Sequence, residues 1–233
     1  MARRQFLPHG ADMLYVIGTP IGNLDDITLR ALQALKSADV IAAEDTRHSG
    51  NLLRHFEIRK PLVSYHEHNE AMRTAELAER LAAGETVALI SDAGMPGISD
   101  PGARLIRACI ERELPYTIIP GVSAVLTALV GSGFALDRFC YRGFLPPKSG
   151  GRERELRAAA ERDETTVFFE SPHKINKTLA AAAQIMPERQ LCIARELTKK
   201  FEEFRRGTAA ELLAHYEARP AKGEITFLVS AIS

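Results

Sequence analysis

The stretch VALISDAGMPGISDPGARLIRACI, residues 87–110, joins an apolar run, a bend rich in glycine and proline, and an amphipathic segment. The apolar run is typical of a buried strand, and the later apolar residues recur at the spacing of one helix face. Asp100 is expected to cap this helix, with Pro101 at its first position. The intervening bend, residues 92–97, is too polar and too bent for a core, and it predicts a turn that faces a ligand.

The same alternation of strand and helix runs through the first half of the sequence. Helical segments separate the predicted strands, and one of them extends from a cap at Asn69 to Gly84. Because the strands are almost continuously apolar, we expect a mostly parallel sheet that is covered by helices on both faces. The predicted strands are residues 14–18, 40–44, 62–65, 87–91 and 116–119.

Glycine and proline cluster at residues 131–151, where the pattern of the chain changes. Two strands follow one another around residues 194–206, which indicates a hairpin and hence a mixed sheet. We therefore predict an α/β protein with an N-terminal domain at 12–133, a C-terminal domain at 134–233 and a flexible segment at 1–11. The remaining predicted elements are strands at 165–169, 190–196, 199–207 and 223–232 and helices at 152–162, 173–185 and 208–218.

Composition and charge disfavour several classes of protein. The chain carries 30 basic and 30 acidic side chains, so its bulk charge does not indicate a nucleic-acid binder, and residues 134–233 are only slightly basic. Cys109, Cys140 and Cys192 lie far apart, which disfavours a disulfide framework or a zinc site. The N-terminus has no apolar run like that of a signal peptide, and glycine and proline interrupt the apolar region 116–136. We expect a cytoplasmic protein that neither spans a membrane nor binds a metal.

Four turns rich in glycine, proline or acidic residues follow predicted strands, at residues 18–26, 44–50, 89–102 and 120–124. Because the carboxyl ends of parallel strands meet at one edge of a sheet, these turns predict a binding rim there. Ordinary loop formation and helix capping also require such residues, so the structural interpretation stays open. Asp92 would accept hydrogen bonds from ribose hydroxyls or an amino group, or it would cap its own loop.

Several common motifs are absent from the sequence, and their absence reduces the number of ligand classes that the predicted rim would bind. There is no G-x-x-x-x-G-K-[ST] phosphate loop, no G-x-G-x-x-G dinucleotide fingerprint and no G-x-S-x-G serine nucleophile elbow. His66 and His68 have no clearly placed third metal ligand. Glycines where the backbone approaches a ligand, together with few basic residues, favour a nucleoside or amino-acid moiety over a chain of phosphates.

Three segments of the second half carry further polar groups. Glu170 ends a predicted strand, and Ser171 and Pro172 then start a helix. These residues would either only form the start of the helix or also lie beside a ligand. Residues 194–206 carry five basic and three acidic side chains, which is typical of a solvated hairpin or of a surface that meets an anionic substrate. Residues 145–157 form a basic loop that would act as a mobile clamp or merely as a linker.

Eight motifs, in order from residue 14 to residue 229, resemble the family of ribosomal RNA small subunit methyltransferase I, which has the tetrapyrrole-methylase fold. The series covers nearly the whole chain, and its order makes the resemblance specific. The motifs are LYVIGTPIGNLDDIT, AEDTRHSG, SDAGMPGISDPG, PGVSA, DRFCYRGFLP, FFESPHK, RELTKKFEE and KGEITFLV.

The resemblance implies two α/β domains with S-adenosylmethionine in the cleft between them, and it implies a homodimer. It further implies 2′-O-methylation of a decoding-centre cytidine ribose in 16S rRNA, within an assembled small ribosomal subunit. Glu170 would lie near the cleft from the second domain. By match to the family's fold, the cofactor-binding residues are Pro20, Ile21, Asp92, Ala93, Gly94, Met95, Ser123, Ala124 and, from the second domain, Ser171.

Five positions depart from the family's pattern, and these differences touch the predicted rim. The family usually has Thr at Met95, a bulkier residue at Gly97, Pro at Val122, Tyr at Phe169 and Arg at Lys174.

A ribose 2′-hydroxyl is a poor nucleophile, so a base, or a cation that lowers its pKa, would assist methyl transfer. We favour Glu196 together with Lys199, both from the RELTK segment. The other candidates are Glu170, Asp100 and Glu44.

Two other functions stay open. One is a methyltransferase of the same fold that acts on a small tetrapyrrole. Such an enzyme needs a large apolar cleft, and the charged segment 194–206 disfavours one. The other is a non-catalytic binding module that assists ribosome assembly.

Overall fold

The computed structural model describes residues 12–232, and the segment predicted to be flexible, residues 1–11, lies outside this range. The described chain forms two compact units, and a short segment after the first strand belongs to the second of them. The first unit contains residues 12–20 and 24–122, and the second contains residues 21–23 and 123–232.

The first unit is a parallel sheet with helices between its strands. The strands are β1 (Leu14–Ile17), β2 (Val40–Ala43), β3 (Leu62–Ser64), β4 (Val87–Ile90) and β5 (Tyr116–Ile119). The α-helices are α1 (Leu29–Ser37), α2 (Thr46–His55), α3 (Glu70–Ala82) and α4 (Ala103–Glu111), and a 3-10 helix lies at Leu24–Asp26. All strand pairs are parallel, in the order β3-β2-β4-β1-β5, which confirms the sheet predicted from the sequence.

Both faces of this sheet are buried, because alternate residues of each strand point to opposite sides. On one face, Ile17 and Ile90 belong to the same core cluster as Leu35 of α1. On the other face, Leu89 shares a cluster with Leu77 of α3. The two clusters explain why the strands are apolar at nearly every position.

The second unit is a mixed sheet with four helices. The strands are β6 (Phe139–Phe144), β7 (Thr165–Glu170), β8 (Leu191–Arg195), β9 (Glu203–Gly207) and β10 (Ile225–Val229). The helices are α5 (Ala124–Ser132), α6 (Ser149–Ala160), α7 (Ile175–Ile185) and α8 (Ala209–Ala218). The order is β6-β7-β10-β8-β9, with only β6 and β7 parallel. The predicted mixed sheet and the β8–β9 hairpin are confirmed, although β9 begins later than expected because a turn occupies the preceding residues.

The core of the second unit lies between its sheet and helices α6, α7 and α8. Phe168 and Phe227, from adjacent strands, are stacked with their ring centres 6.1 Å apart. Leu179 of α7 and Leu212 of α8 belong to the same buried cluster. Burial of each such side chain contributes about 1.5–3 kcal/mol, so this cluster is a main source of the unit's stability.

Helix α5 packs on the sheet of the second unit, so the division between the units falls before this helix rather than near residue 134. Gly131 lies so close to Phe204 of β9 that a Cβ atom there would be 2.1 Å from the ring. Arg206 donates a hydrogen bond from Nε to the carbonyl oxygen of Ser132 at 2.6 Å, and another to that of Gly131. These bonds satisfy carbonyl groups that have no partner within the helix.

Helix α4 starts in a way that the sequence did not predict. The predictions of a cap at Asp100 and a first helical residue at Pro101 are wrong, since α4 begins at Ala103 behind Gly102. Gly102 has a φ of 141°, which residues with a side chain rarely adopt, so the chain turns once more before the helix begins.

Asn69 precedes helix α3 as expected, but its side chain makes no capping hydrogen bond to that helix. Its Oδ1 accepts the N–H of His66 at 2.9 Å, and its Nδ2 donates to the carbonyl oxygen of Ser64 at 3.1 Å. The side chain therefore stabilises the turn after β3, and the predicted role as helix cap is wrong.

The contact between α5 and β9 generates a prediction. Gly131→Ala should lower the free energy of unfolding by about 1–3 kcal/mol, because the new methyl group must displace the Phe204 ring. Gly150→Ala is the matched control in helix α6, where nothing lies within 4 Å of the added Cβ. That change should leave stability unchanged or raise it by up to about 1 kcal/mol. Urea unfolding of both variants measures the difference, and equal effects would contradict the proposed packing.

Candidate functional site

The turns after β1 and β5 touch each other through their backbones. A Cβ atom on Gly18 would lie 2.6 Å from the nitrogen of Gly121, and one on Gly121 would lie 2.8 Å from the carbonyl carbon of Gly18. The N–H of Gly18 also donates to the carbonyl oxygen of Ile119 at 3.0 Å. Neither glycine can be replaced without moving backbone, so both are required by the close approach of the two turns.

The turn after β4 is joined to the turn after β1. Thr19 and Gly94 form a two-way backbone bridge, with N–H to oxygen distances of 2.9 Å and 3.1 Å. The buried Thr19 hydroxyl donates to the carbonyl oxygen of Ser91 at 3.2 Å. Three of the four predicted rim turns, those after β1, β4 and β5, are therefore in direct contact within the first unit.

The bend 92–97 adopts the tight backbone expected of it. Gly94 and Gly97 have φ values of 79° and 85°, in the region that favours glycine. The N–H of Gly97 donates to the carbonyl oxygen of Pro101 at 3.1 Å. Two residues of this bend, Met95 and Gly97, differ from the family's usual residues. Glycine at position 97 is compatible with the positive φ there, and the sulfur of Met95 lies against Gly18.

Asp92 and Glu44 hold the turns after β4 and β2 together. The N–H of Asp45 donates to Oδ1 of Asp92 at 3.0 Å. Burial, and then the negative charge of Asp92, raise the pKa of Glu44 above its ordinary value, although the N–H of Asp92 donates a hydrogen bond that opposes the shift. Within residues 12–232, neither Glu44 nor Asp92 forms an ion pair with a basic side chain. Among the described residues, these two carboxylates of the rim are therefore not ion-paired.

Other predicted cofactor residues are divided between the two units. Pro20 and Ala93 lie in the first unit, whereas Ile21, Ser123 and Ala124 belong to the second. The hydroxyl of Ser123 accepts the N–H of Leu126 at 3.4 Å, as the cap of helix α5, and Ala124 is the first residue of that helix.

In the second unit, Lys199 is held between two carboxylates. Its Nζ donates to Oε1 of Glu196 at 3.1 Å and to Oε2 of Glu224 at 2.7 Å. Burial would lower the pKa of Lys199, but these hydrogen bonds outweigh it and raise the pKa. Burial would raise the pKa of Glu196, yet the bonds from Lys199 and from the N–H of Glu224 lower it overall. At neutral pH Lys199 is therefore a charged ammonium, hydrogen-bonded to Glu196 and Glu224.

The backbone around this triad is closely packed. Glu196 and Thr198 have φ values of 50° and 63°, which is uncommon for residues other than glycine. A Cβ atom on Gly22 would be 2.4 Å from Cγ of Lys199, and one on Gly223 would be 2.1 Å from Oε1 of Glu196. The segment after β1 therefore packs against the Lys199 side chain inside the second unit.

Glu224 is a member of the triad that sequence reasoning missed. It lies next to Ile225, which pairs with Arg195 at the start of the β10–β8 ladder. The KGEITFLV motif contains Glu224, and the acidic residue directly before its strand is the sequence signal for this position.

Glu170 lies at the end of β7, as predicted, and is buried. Its Oε1 accepts the N–H of Ser171 at 2.7 Å, and its Oε2 accepts the hydroxyl of Thr178 at 2.5 Å. Both oxygens thus fix the turn before helix α7. That helix begins at Ile175, so the prediction that Pro172 starts it is wrong; the turn intervenes.

The structure brings no metal ligands together among residues 12–232, where no three His, Cys, Asp or Glu side chains are grouped to hold an ion. The rings of His66 and His68 are 5.8 Å apart, in an edge-to-face arrangement. Over the same residues, no helix is both long enough and apolar enough to cross a bilayer.

Comparison with known proteins identifies the family. The sequence profile of the tetrapyrrole (corrin/porphyrin) methylases matches residues 13–213. The chain belongs to the tetrapyrrole methylase family. As a tetrapyrrole methylase it is a methyltransferase, and its two α/β units are those that the resemblance implied.

Two curated relatives of this tetrapyrrole methylase carry the name "Ribosomal RNA small subunit methyltransferase I". The protein from Synechocystis sp. is 46% identical, over 94% of this chain and 78% of the relative. The protein from Haemophilus influenzae is 47% identical, over 93% of this chain and 78% of the relative. The resemblance to that family, stated from the motifs, is confirmed.

A solved structure confirms the fold of the tetrapyrrole methylase. Diphthine synthase has a TM-score of 0.73 at 18% sequence identity, covering 94% of this chain and 89% of that chain. At this identity the similarity concerns the fold alone.

The raised pKa of Glu44 generates a prediction with a definite sign. The folded chain binds this proton more readily than the unfolded chain, so stability falls as pH rises from the ordinary pKa of 4.5 through the raised value. Glu44→Gln should therefore raise the melting temperature at about pH 7 and change it little at about pH 4. Thermal unfolding followed by circular dichroism measures both. Glu217→Gln, at an exposed position on helix α8, serves as control, and an equal gain for Glu44→Gln at both pH values would contradict the ionisation effect.

Proposed function

We propose that this methyltransferase uses S-adenosylmethionine to methylate the 2′-oxygen of a cytidine ribose at the decoding centre of 16S rRNA, within the small ribosomal subunit and in the cytoplasm. The observation that carries the proposal is the similarity to ribosomal RNA small subunit methyltransferase I over more than nine-tenths of the chain.

The residues of the first unit fit S-adenosylmethionine. Its ammonium and sulfonium groups are positive, and the rim carries Glu44 and Asp92 without a basic partner among the described residues. Asp92 is proposed to accept hydrogen bonds from the cofactor. Pro20, Ile21, Ala93, Gly94, Met95, Ser123, Ala124 and Ser171 are the other residues proposed to hold it.

When bound, S-adenosylmethionine supplies a methyl group on a positively charged sulfur that is displaced in line. Alignment of nucleophile and methyl group is worth about 7–11 kcal/mol in well-oriented reactions, so the main task of the chain is to position the ribose and exclude water. Lys199 is proposed to stabilise the negative charge that develops on the 2′-oxygen. Its raised pKa keeps it charged, and the two carboxylates keep it in place.

The acidic candidates differ in their suitability as bases. The lowered pKa of Glu196 makes it a weak proton acceptor, so its proposed role is to hold Lys199. Both carboxylate oxygens of Glu170 accept hydrogen bonds, from the N–H of Ser171 and the hydroxyl of Thr178. Its proposed role is therefore to position Ser171. Glu44 has a raised pKa, which favours proton acceptance.

One assay separates this function from the two alternatives. The protein is incubated with S-adenosylmethionine labelled in its methyl group and with 16S rRNA, small ribosomal subunits or a porphyrinogen. Label in the ribose of the rRNA supports the proposal, label in the porphyrinogen supports a tetrapyrrole methyltransferase, and rRNA binding without label supports a non-catalytic module. Binding to rRNA should weaken linearly with the logarithm of salt concentration, because phosphate contacts release counterions.

Lys199→Met should lower kcat by about 10²- to 10³-fold, the usual effect of removing one group that stabilises a developing oxyanion. Binding of S-adenosylmethionine, followed by calorimetry, should change little. Lys177→Met, an exposed lysine on helix α7, is the control and should keep full activity. A Lys199→Met variant with the wild-type rate would remove Lys199 from the mechanism, and a parallel loss of cofactor affinity would assign it to cofactor binding instead.

The proposed active form is a homodimer. Leu126 and Val130 lie one turn apart on helix α5 and are 52% and 69% exposed. Adjacent exposed apolar side chains are typical of a surface that contacts another protein chain. Light scattering should give the mass of two chains for the wild type and of one chain for Val130→Lys. Met72→Lys, at a position 65% exposed on helix α3, should leave the mass unchanged. A monomeric wild type would contradict the proposal.

A further inference from the structure

Phe201 is an exposed aromatic side chain in the turn of residues 196–202, which joins β8 to β9. The side chain is 65% exposed, and Nζ of Lys200 lies 5.7 Å from the centre of its ring. Burial of an exposed aromatic ring by a binding partner would contribute favourable free energy, so Phe201 is a candidate contact for a ligand.

The turn holds Phe201 in a defined position. The N–H of Thr198 donates to Oε2 of Glu202 at 2.7 Å, and the N–H of Glu202 donates to the carbonyl oxygen of Lys199 at 3.1 Å. Glu196 and Thr198 have left-handed backbone conformations, which persist only where surrounding contacts fix them. Because the turn is already ordered, a ligand that binds Phe201 would lose little affinity to ordering the loop.

A basic side chain lies beside the ring, and most carboxylates of the hairpin are already engaged. Glu196 is bound to Lys199, and Glu203 is bound to Arg195 and Arg205. Lys200 takes part in none of the ion pairs among residues 12–232. Two carboxylates of the hairpin are therefore ion-paired, the third, Glu202, accepts a backbone N–H within the turn, and Lys200 is exposed beside the exposed ring.

We infer that Phe201 is a platform on which an unpaired base of the RNA substrate stacks, with Lys200 beside a neighbouring phosphate. This inference rests on the proposed function and adds to it the contact that holds the substrate. Proteins read unpaired RNA by stacking bases on aromatic side chains next to basic groups. Phe201 lies two residues from Lys199, so a base on its ring would be held next to the proposed catalytic ammonium.

The chain contains no tryptophan, so Phe201→Trp introduces a single fluorescent reporter. Titration with 16S rRNA transcribed in vitro should quench this tryptophan, because a stacked base quenches the indole. Met72→Trp is the matched control, since Met72 is also 65% exposed, and its fluorescence should follow only the optical absorption of the RNA. Equal quenching of the two variants would overturn the inference.

A substitution series distinguishes stacking from simple apolar contact. Phe201→Leu should weaken binding to 16S rRNA by about 5- to 150-fold, as loss of one base stack does, and Phe201→Trp should keep wild-type affinity. Lys200→Gln should reduce the slope of log affinity against log salt by about 0.7, whereas Phe201→Leu should leave the slope unchanged. If Phe201→Leu binds as the wild type does, or instead converts a dimer to a monomer, Phe201 does not stack on a base.

The same series separates failure of this inference from failure of the proposed function. If wild-type protein methylates rRNA while all Phe201 variants bind and react normally, only the stacking contact is refuted. If wild-type protein neither binds nor labels rRNA, the proposed function itself is refuted. Cofactor binding by Phe201→Leu, unchanged in calorimetry, shows that the variant is folded.

Discussion

The contact between the backbones of Gly18 and Gly121 is the constraint on which the predicted rim depends. β1 pairs with β5 in parallel, so their following turns leave the sheet side by side, and the absence of two side chains lets them touch. The bridge between Thr19 and Gly94 adds the turn after β4 to the same assembly. Both glycine-containing turns are followed along the chain by residues of the second unit, Ile21–Asn23 and Ser123 onward.

The two units use carboxylates in opposite ways. In the first unit, Glu44 and Asp92 accept backbone N–H groups and form no ion pair with a basic side chain among the described residues. In the second unit, Glu196 and Glu224 surround Lys199 and raise its pKa, so the pair of acids preserves a cation. The two units therefore present different electrostatic environments, carboxylates without an ion-paired base in one and a lysine held by carboxylates in the other.

The sequence predicted strands and sheet type well, because a buried parallel strand needs an apolar residue at nearly every position. It failed where tertiary contacts decide. Gly102 delays helix α4 and Asn69 turns to its own loop, because alternatives to capping were available locally. The packing of Gly131 on Phe204 assigns helix α5 to the second unit, and no local pattern shows this. The position of Glu224 beside Glu196 could not be predicted from the sequence, because the pairing of Ile225 with Arg195 brings the two together.

The turn between β8 and β9 links these observations to function. Left-handed conformations at Glu196 and Thr198 cost about 1–2 kcal/mol each relative to right-handed ones. A solvated hairpin turn would avoid that cost by containing glycine or asparagine at these positions. The cost is offset by the hydrogen bonds of Glu202 and of the Lys199 triad, which form only in this geometry. Lys199 lies in this turn, and its bonds to Glu196 and Glu224 hold its ammonium group in place.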